Sequence, residues 1–289
     1  MTKASDMTAQ NIAPGFRAIR FTREWITRPV FAVVLAVAII AAIFAGRPYL
    51  EIAVAVVVFA GAREWHRMVG GGRYAVEFAA TTAAIWGALA AYLLWETSWV
   101  PQTILAGGVL LVGLLGLVRR NNPVWNAAGV LYLGLPSLAM LALRDQPHHA
   151  TWVIVGLFIV VWATDTGALF VGNLAGGRKI APRLSPNKTW SGTIGGVIAA
   201  SVLNGAFVVM LGGNMLAGAV FGAGLAVVAH LGDLFESLVK RIFHYKDSGS
   251  LIPGHGGVLD RIDSTLFALV AMEIAVFVLH LDPLFGGTP

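Results

Sequence analysis

Charged residues make up only 12% of this chain, yet seven of them crowd into 27 residues, SLVKRIFHYKDSGSLIPGHGGVLDRID (237–263), around four glycines. Just upstream, AHLGDLFESLVKR (229–241) spaces Asp233, Glu236, Ser237, Lys240 and Arg241 at i, i+3, i+4, i+7 and i+8. That spacing puts all five on one face of a helix, with Leu234, Phe235, Leu238 and Val239 on the rest. An ionisable group at the centre of a membrane helix costs at least about 2.5 kcal/mol, so such groups usually face a polar interior and serve a function. Glu236 and Lys240 have the favourable order for an intrahelical ion pair. One pair does not account for five polar residues beside a second cluster.

The second cluster is LDRIDS (259–264), with Asp260 and Asp263 at i, i+3 where an apolar run begins. Asp263 or Ser264 suits an N-cap; capping uses one acid and leaves the other unexplained. Aspartates on two facing helices, Asp233 and Asp260, could share a hard cation, because Mg²⁺ takes one or two carboxylates and leaves its other positions to water and phosphate. The chain has no cysteine, which further favours Mg²⁺ on a phosphate substrate over zinc. Between the clusters, Lys246, Asp247, Gly249, Gly254, Gly256 and Gly257 form a bend whose N–H groups could approach a phosphate closely. Glycine is common in any interhelical loop; here it sits among Lys240, Arg241, Lys246 and Arg261. His255 reads as a phosphate donor, an acid–base group or a plain hydrogen-bonding fixture.

A further polar run, WATDTGALFVGNLAGGRKIAPRLSPNKTWSG (162–192), follows an apolar stretch that contains Asp165. Arg178, Lys179, Arg183 and Lys188, with Ser185, Asn187 and Thr189 as neutral donors, would suit a phosphate or nucleotide. Topology and anionic headgroups account for the basic residues equally well.

The elements that must position these groups are membrane helices. Of the 289 residues 57% are hydrophobic and mean hydropathy is +0.76, far from a soluble globular composition. Apolar blocks fall at 30–46, 49–62, 75–95, 102–118, 124–143, 152–171, 192–212, 215–236 and 264–281. Most approach the length of about 20 residues that a helix needs to cross the hydrocarbon. The fold class is therefore all-α, a polytopic membrane protein of about nine transmembrane helices. With the N-terminus cytoplasmic, Lys and Arg fall almost wholly on inside segments; only Arg47 and Arg144 lie outside. The C-terminus then lies outside, and the long loops 172–191 and 237–263 both face the cytoplasm. The basic balance serves topology rather than nucleic acid. Residues 1–29 form a cytoplasmic or interfacial segment, 30–150 an N-terminal set of helices in which nothing demands chemistry, and 151–289 the region that carries it. No internal repeat of the kind that marks a transporter is evident.

The run from 237 to 263 resembles the signature of phosphatidate cytidylyltransferases (CDP-diacylglycerol synthases) at Ser237, Lys240, Arg241, Lys246, Asp247, Gly249, Pro253, His255, Gly256, Gly257, Asp260, Arg261 and Asp263. The run DTGALF…GGRKIAPRLSPNKTW is similar to that family's cytoplasmic loop. Ser191 departs from it, standing where many members carry an acid, so no role of that acid is carried over. The resemblance is strong over about 160–270 and topological before that. It implies an integral enzyme of the bacterial-type inner membrane, with its active site facing the cytoplasm. It implies CTP and phosphatidate as partners within the membrane lipid, CDP-diacylglycerol and pyrophosphate as products, and in-line attack of the lipid phosphate on the α-phosphorus. It also implies Mg²⁺ on Asp233 and Asp260, with Asp263 and Ser237 helping to hold it or a second cation. Lys240, Arg241, Lys246 and Arg261 would hold phosphates, Asp247 would orient Lys246, and His255, Gly256 and Gly257 would shape the pocket. Asp165, Ser185, Asn187, Lys188 and Thr189 would contact nucleotide or headgroup. A homodimer is left open. The rival readings are a CTP-dependent lipid kinase and a membrane cation transporter built on Asp165, Asp233 and Glu236.

Overall fold

A computed structural model describes residues 37–95, 99–146, 149–251 and 256–285. The segment 1–29, the start of the first apolar block and His255 lie outside the described residues. The chain is a helical bundle. Helix α1 is described over 37–45. It is followed by α2 (Tyr49–Gly70), α3 (Ala75–Leu94), α4 (Trp99–Val118), α5 (Pro123–Asp145), α6 (Ala150–Ala175), α7 (Trp190–Met210), α8 (Met215–Ile242) and α9 (Leu259–Phe277). Local signals set several starts. Pro123 opens α5 at the position where a missing N–H is harmless. The Asn214 side chain accepts from Ala217 N at 3.0 Å to cap α8.

Six helices, α3 to α8, are long and apolar enough to cross a membrane by length and composition. This is an integral membrane protein. Helices α2 and α9 fall short on composition, because Arg63, Glu64 and Arg67 crowd the end of one while Asp260, Arg261, Asp263 and Glu273 lie along the other. The helices also outrun their apolar blocks: α2 continues to Gly70, α8 to Ile242, and α9 begins at Leu259 rather than at 264. A helix keeps its hydrogen bonding past the point where apolarity stops, so polar turns extend it.

Among the described residues the all-α expectation has one exception. Strands β1 (Lys179–Ala181) and β2 (Ser185–Thr189) form an antiparallel hairpin with Lys179 opposite Thr189 and Ala181 opposite Ser185. Pro182 and Pro186 keep this run out of a helix, and a two-stranded ribbon leaves an edge where a missing proline N–H is tolerated.

Two hydrophobic cores organise the bundle. One surrounds Leu157, Val160 and Met272, with Phe285 closing it. The other surrounds Trp65, Ile85 and Leu133. Helices α5 and α9 contribute to both, so the halves of the chain interlock. Gly232 lets α8 and α9 meet at close range, since a Cβ there would lie 2.7 Å from Asp263 O and 3.0 Å from Phe267 Cβ. Asp233, next to Gly232, and Asp263 flank that contact.

Candidate functional site

The centre of the site is Lys240, near the end of α8. Its Nζ lies 3.1 Å from Glu236 Oε1 and donates to Asp260 Oδ1 at 2.7 Å. Glu236 is fully buried, and Tyr132 OH donates to its Oε2 at 3.4 Å. The expected intrahelical pair is therefore present, and it extends to the aspartate of the next helix. Trp65, Tyr132, Phe235 and Phe267 pack ring against ring beside it.

Asp260 is held on its other oxygen as well. Its Oδ2 accepts from Ser248 N at 2.9 Å and from Gly257 N at 2.8 Å. Gly256, at φ +84°, folds the chain tightly over this carboxylate; a Cβ would sit 2.7 Å from Oδ2. At Gly257, and at Gly249, a Cβ would overlap the Glu64 carboxylate. Glu64 is 2% exposed. It accepts from Ser248 Oγ at 3.1 Å, Val258 N at 3.0 Å and Leu259 N at 3.0 Å, while Arg67 donates to Ser248 O at 3.0 Å. Among the described residues, the glycine-rich bend thus wraps two of the protein's own carboxylates, Asp260 and Glu64.

A second ionic group faces it. Lys188 on β2 is ion-paired with Asp233 on α8. Asp165 on α6 feels the charges of Asp233, Lys188 and Arg261. Asp263 on α9 feels those of Asp233, Glu236 and Asp165, and its Oδ1 accepts from Ser264 N at 2.8 Å. Ser237 is buried one turn beyond Asp233. Arg241 ties the hairpin to this end of α8, donating through Nε to Leu184 O at 3.1 Å and through Nη1 to Tyr245 O at 3.2 Å.

Among the described residues, no three His, Asp or Glu side chains are grouped to hold a metal. A magnesium ion that shares its shell with phosphates needs only one or two carboxylates. Asp233, paired with Lys188, and Asp263, one oxygen of which accepts from Ser264 N, are the carboxylates that fit such a shell, and Asp263 feels the charge of Asp233. Both oxygens of Asp260, by contrast, are engaged by Lys240 and two backbone N–H groups.

The remaining expected residues take various places. Thr189 is buried as the N-cap of α7, accepting from Gly192 N and from Ser191 Oγ, both at 3.1 Å. The single Ser191 hydroxyl hydrogen has Gly176 O within reach as an alternative acceptor, at the corner between α6 and α7. Ser185 pairs across the hairpin, Asn187 O accepts from Lys179 Nζ at 3.5 Å, and Lys246 and Asp247 are exposed. Sequence reasoning missed Glu64, Arg67, Ser248 and Tyr132. The signal was the run REWHR (63–67) at the end of an apolar block, read there only as inside positive charge.

Comparison with known proteins places these residues in a family context. A model of the cytidylyltransferase family matches residues 26–279. The phosphatidate cytidylyltransferase of Brucella suis is 44% identical over 185 residues, 59% of this chain and 65% of the relative. The aligned part therefore spans just under two thirds of that relative's length. The Haemophilus influenzae protein of the same name is 32% identical over 274 residues, 84% of this chain and 95% of the relative. That of Pseudomonas aeruginosa is 36% identical over 238 residues, 76% and 85% respectively.

Proposed function

Since the chain belongs to the cytidylyltransferase family, we propose that it transfers the cytidylyl group of CTP to phosphatidate, giving CDP-diacylglycerol and pyrophosphate. The observation that carries this reading is the pair of facing ionic groups, Glu236–Lys240–Asp260 and Lys188–Asp233, at one end of a membrane-spanning bundle. A nucleotide can reach such a site from water while a lipid reaches it from the bilayer.

A phosphatidate oxygen attacks the α-phosphorus of CTP in line, the bond from that phosphorus to the bridging oxygen of the β-phosphate breaks, and pyrophosphate departs. The nucleophile is already an anion, so no serine or cysteine nucleophile is required. The main barrier is the meeting of two polyanions, and the catalytic work is positioning and charge neutralisation. Lys240 and Lys188 would receive phosphate oxygens by exchanging part of their bonding to Asp260 and Asp233. Arg241, Lys246 and Arg261 would hold the outer phosphates, and Asp260 keeps Lys240 aimed. Asp233 and Asp263, with Ser237, would hold Mg²⁺, which when bound neutralises charge and orients both substrates. Nine spans with a cytoplasmic N-terminus would put this end of the bundle in the cytoplasm, consistent with an inner-membrane enzyme that draws on cytosolic CTP.

The test is purified protein in detergent with phosphatidate, Mg²⁺ and labelled CTP, following lipid-soluble label and pyrophosphate together. Both should appear, and both should vanish with EDTA. Formation of CDP and a phosphorylated lipid would instead establish a lipid kinase.

A further inference from the structure

We propose that Glu64, on α2 in the half of the chain that carries none of the signature, is a positioning residue for the reaction. It holds the glycine-rich loop, and through it the Asp260–Lys240 pair, in working geometry. The catalytic consequence rests on the function proposed above; the clamp itself does not.

The first argument is where its bonds go. The three donors to Glu64 are Ser248 Oγ, Val258 N and Leu259 N, which lie before and after the glycine-rich bend. The first N–H groups of a helix have no partner within it. Val258, at the N-cap of α9, offers no side-chain cap. A carboxylate from another helix takes that task, and an anion is favoured at that end of a helix dipole.

The second argument is the glycines. Gly249 and Gly257 approach Glu64 so closely that a Cβ at either would overlap its carboxylate. The two glycines and the acid form a matched set, which a carboxylate buried merely for packing would not require.

The third is the route to the reacting groups. Ser248 donates its N–H to Asp260 Oδ2 at 2.9 Å, and its Oγ accepts from Asp260 N at 3.3 Å while donating to Glu64. Moving Glu64 moves Ser248, and moving Ser248 releases Asp260 from one of the contacts that aim Lys240. Helix α2 is itself anchored: His66 Nδ1 lies 2.8 Å from Asn126 Oδ1 and His66 Nε2 2.7 Å from Thr81 Oγ1. Arg67 adds a bond to Ser248 O, one turn along.

The experiment combines steady-state kinetics with backbone hydrogen exchange on full-length protein in detergent. Glu64→Gln keeps the size but presents an amide N–H to groups that are themselves donors. Gly249→Ala attacks the same contact from the loop. Glu77→Gln is the control: Glu77 is equally buried on α3 and paired with Arg119, away from the loop's hydrogen bonds. Both test variants should lower kcat by roughly 10- to 100-fold, the range expected when reacting groups are displaced by about 1 Å. KM for CTP should change less. Exchange should rise over 246–251 and 256–259 and in the first turn of α9 while the other helices stay protected, and Glu64→Asp should fall between Glu64→Gln and the parent.

A kcat within about twofold of the parent in both test variants would overturn the proposal. So would exchange that rises in all helices together, which would make Glu64 a residue of general stability. If the parent protein formed no CDP-lipid at all, the functional reading would fall, while exchange confined to the loop would still decide the clamp.

Discussion

Asp233 and Asp260 are the same residue type, each beside a lysine, and the structure gives them different work. Asp260 bonds through both oxygens to Lys240, Ser248 N and Gly257 N. Asp233 pairs with Lys188 and stands among other acids, Asp165 and Asp263. Their asparagine variants should therefore fail in different ways. Asp233→Asn removes charge from the cation subsite, so half-maximal rate should require roughly tenfold or more additional Mg²⁺, since loss of one group in such a shell costs about one to two orders of magnitude. Asp260→Asn puts an amide NH2 against either Lys240 or the two backbone N–H groups and unaims Lys240, so kcat should fall with little change in Mg²⁺ requirement. Magnesium titrations of initial rate check both. An identical shift in the two variants would make Asp260 a ligand on the same footing as Asp233. At this scale the sequence was legible for charge and blind to partners. Spacing placed Glu236 and Lys240 on one polar face and Asp260 in a second polar cluster beside it. It could not show that Gly249 and Gly257 crowd a glutamate nearly 200 positions earlier, because that contact exists only once α2 packs beside α9.

Between residue and molecule stand the helices, whose separation sets how far apart their acids lie. Gly232 and Gly224 lie on the same helix, α8, in opposite surroundings. A Cβ at Gly232 would press on Asp263 O and Phe267 Cβ, while one at Gly224 would meet nothing within 4 Å. Glycine in a helix interior is about 1 kcal/mol less favourable than alanine, so Gly224→Ala should stabilise by up to that amount. Gly232→Ala gains the same propensity and loses it to overpacking, typically about 1–3 kcal/mol. It should therefore destabilise on balance and push Asp263 away from Asp233. Thermal unfolding in one detergent gives both signs, and activity should fall only for Gly232→Ala. The helices were legible in the sequence because membrane spans are written as long apolar blocks. Their ends were not, because the polar turns of α2, α8 and α9 continue the helix where apolarity has stopped. The β1–β2 hairpin escaped for a related reason: a strand of three residues beside two prolines carries no periodicity to read.

For the whole molecule, the two cores share α5 and α9, and the site draws Glu64 and Arg67 from the N-terminal half, so the reacting unit is the interlocked chain rather than the run that bears the signature. The distribution of Lys and Arg in the sequence predicts how this unit is oriented in the membrane, because flanking charge rather than packing sets topology. The proposal that the site faces the cytoplasm can be tested directly, since the chain has no cysteine and any introduced thiol is unique. Gly72, between α2 and α3, and Arg183, between the strands, are exposed and belong to inside segments in the topology expected from the sequence. Trp99 and Met215, at 65% and 55% exposure, begin α4 and α8, which that topology places on the outer side. In spheroplasts treated with a membrane-impermeant maleimide, Trp99→Cys and Met215→Cys should label at once, while Gly72→Cys and Arg183→Cys should label only after permeabilisation. The reverse pattern would turn Lys188, Lys240 and the glycine-rich loop outward, away from cytosolic CTP, and the proposed reaction would lose its nucleotide. A mixed pattern, with Gly72→Cys inside and Arg183→Cys outside, would mean that one helix between them fails to cross. Because all four thiols are read on one background, the orientation and the sidedness of the helices between Gly72 and Met215 are decided together.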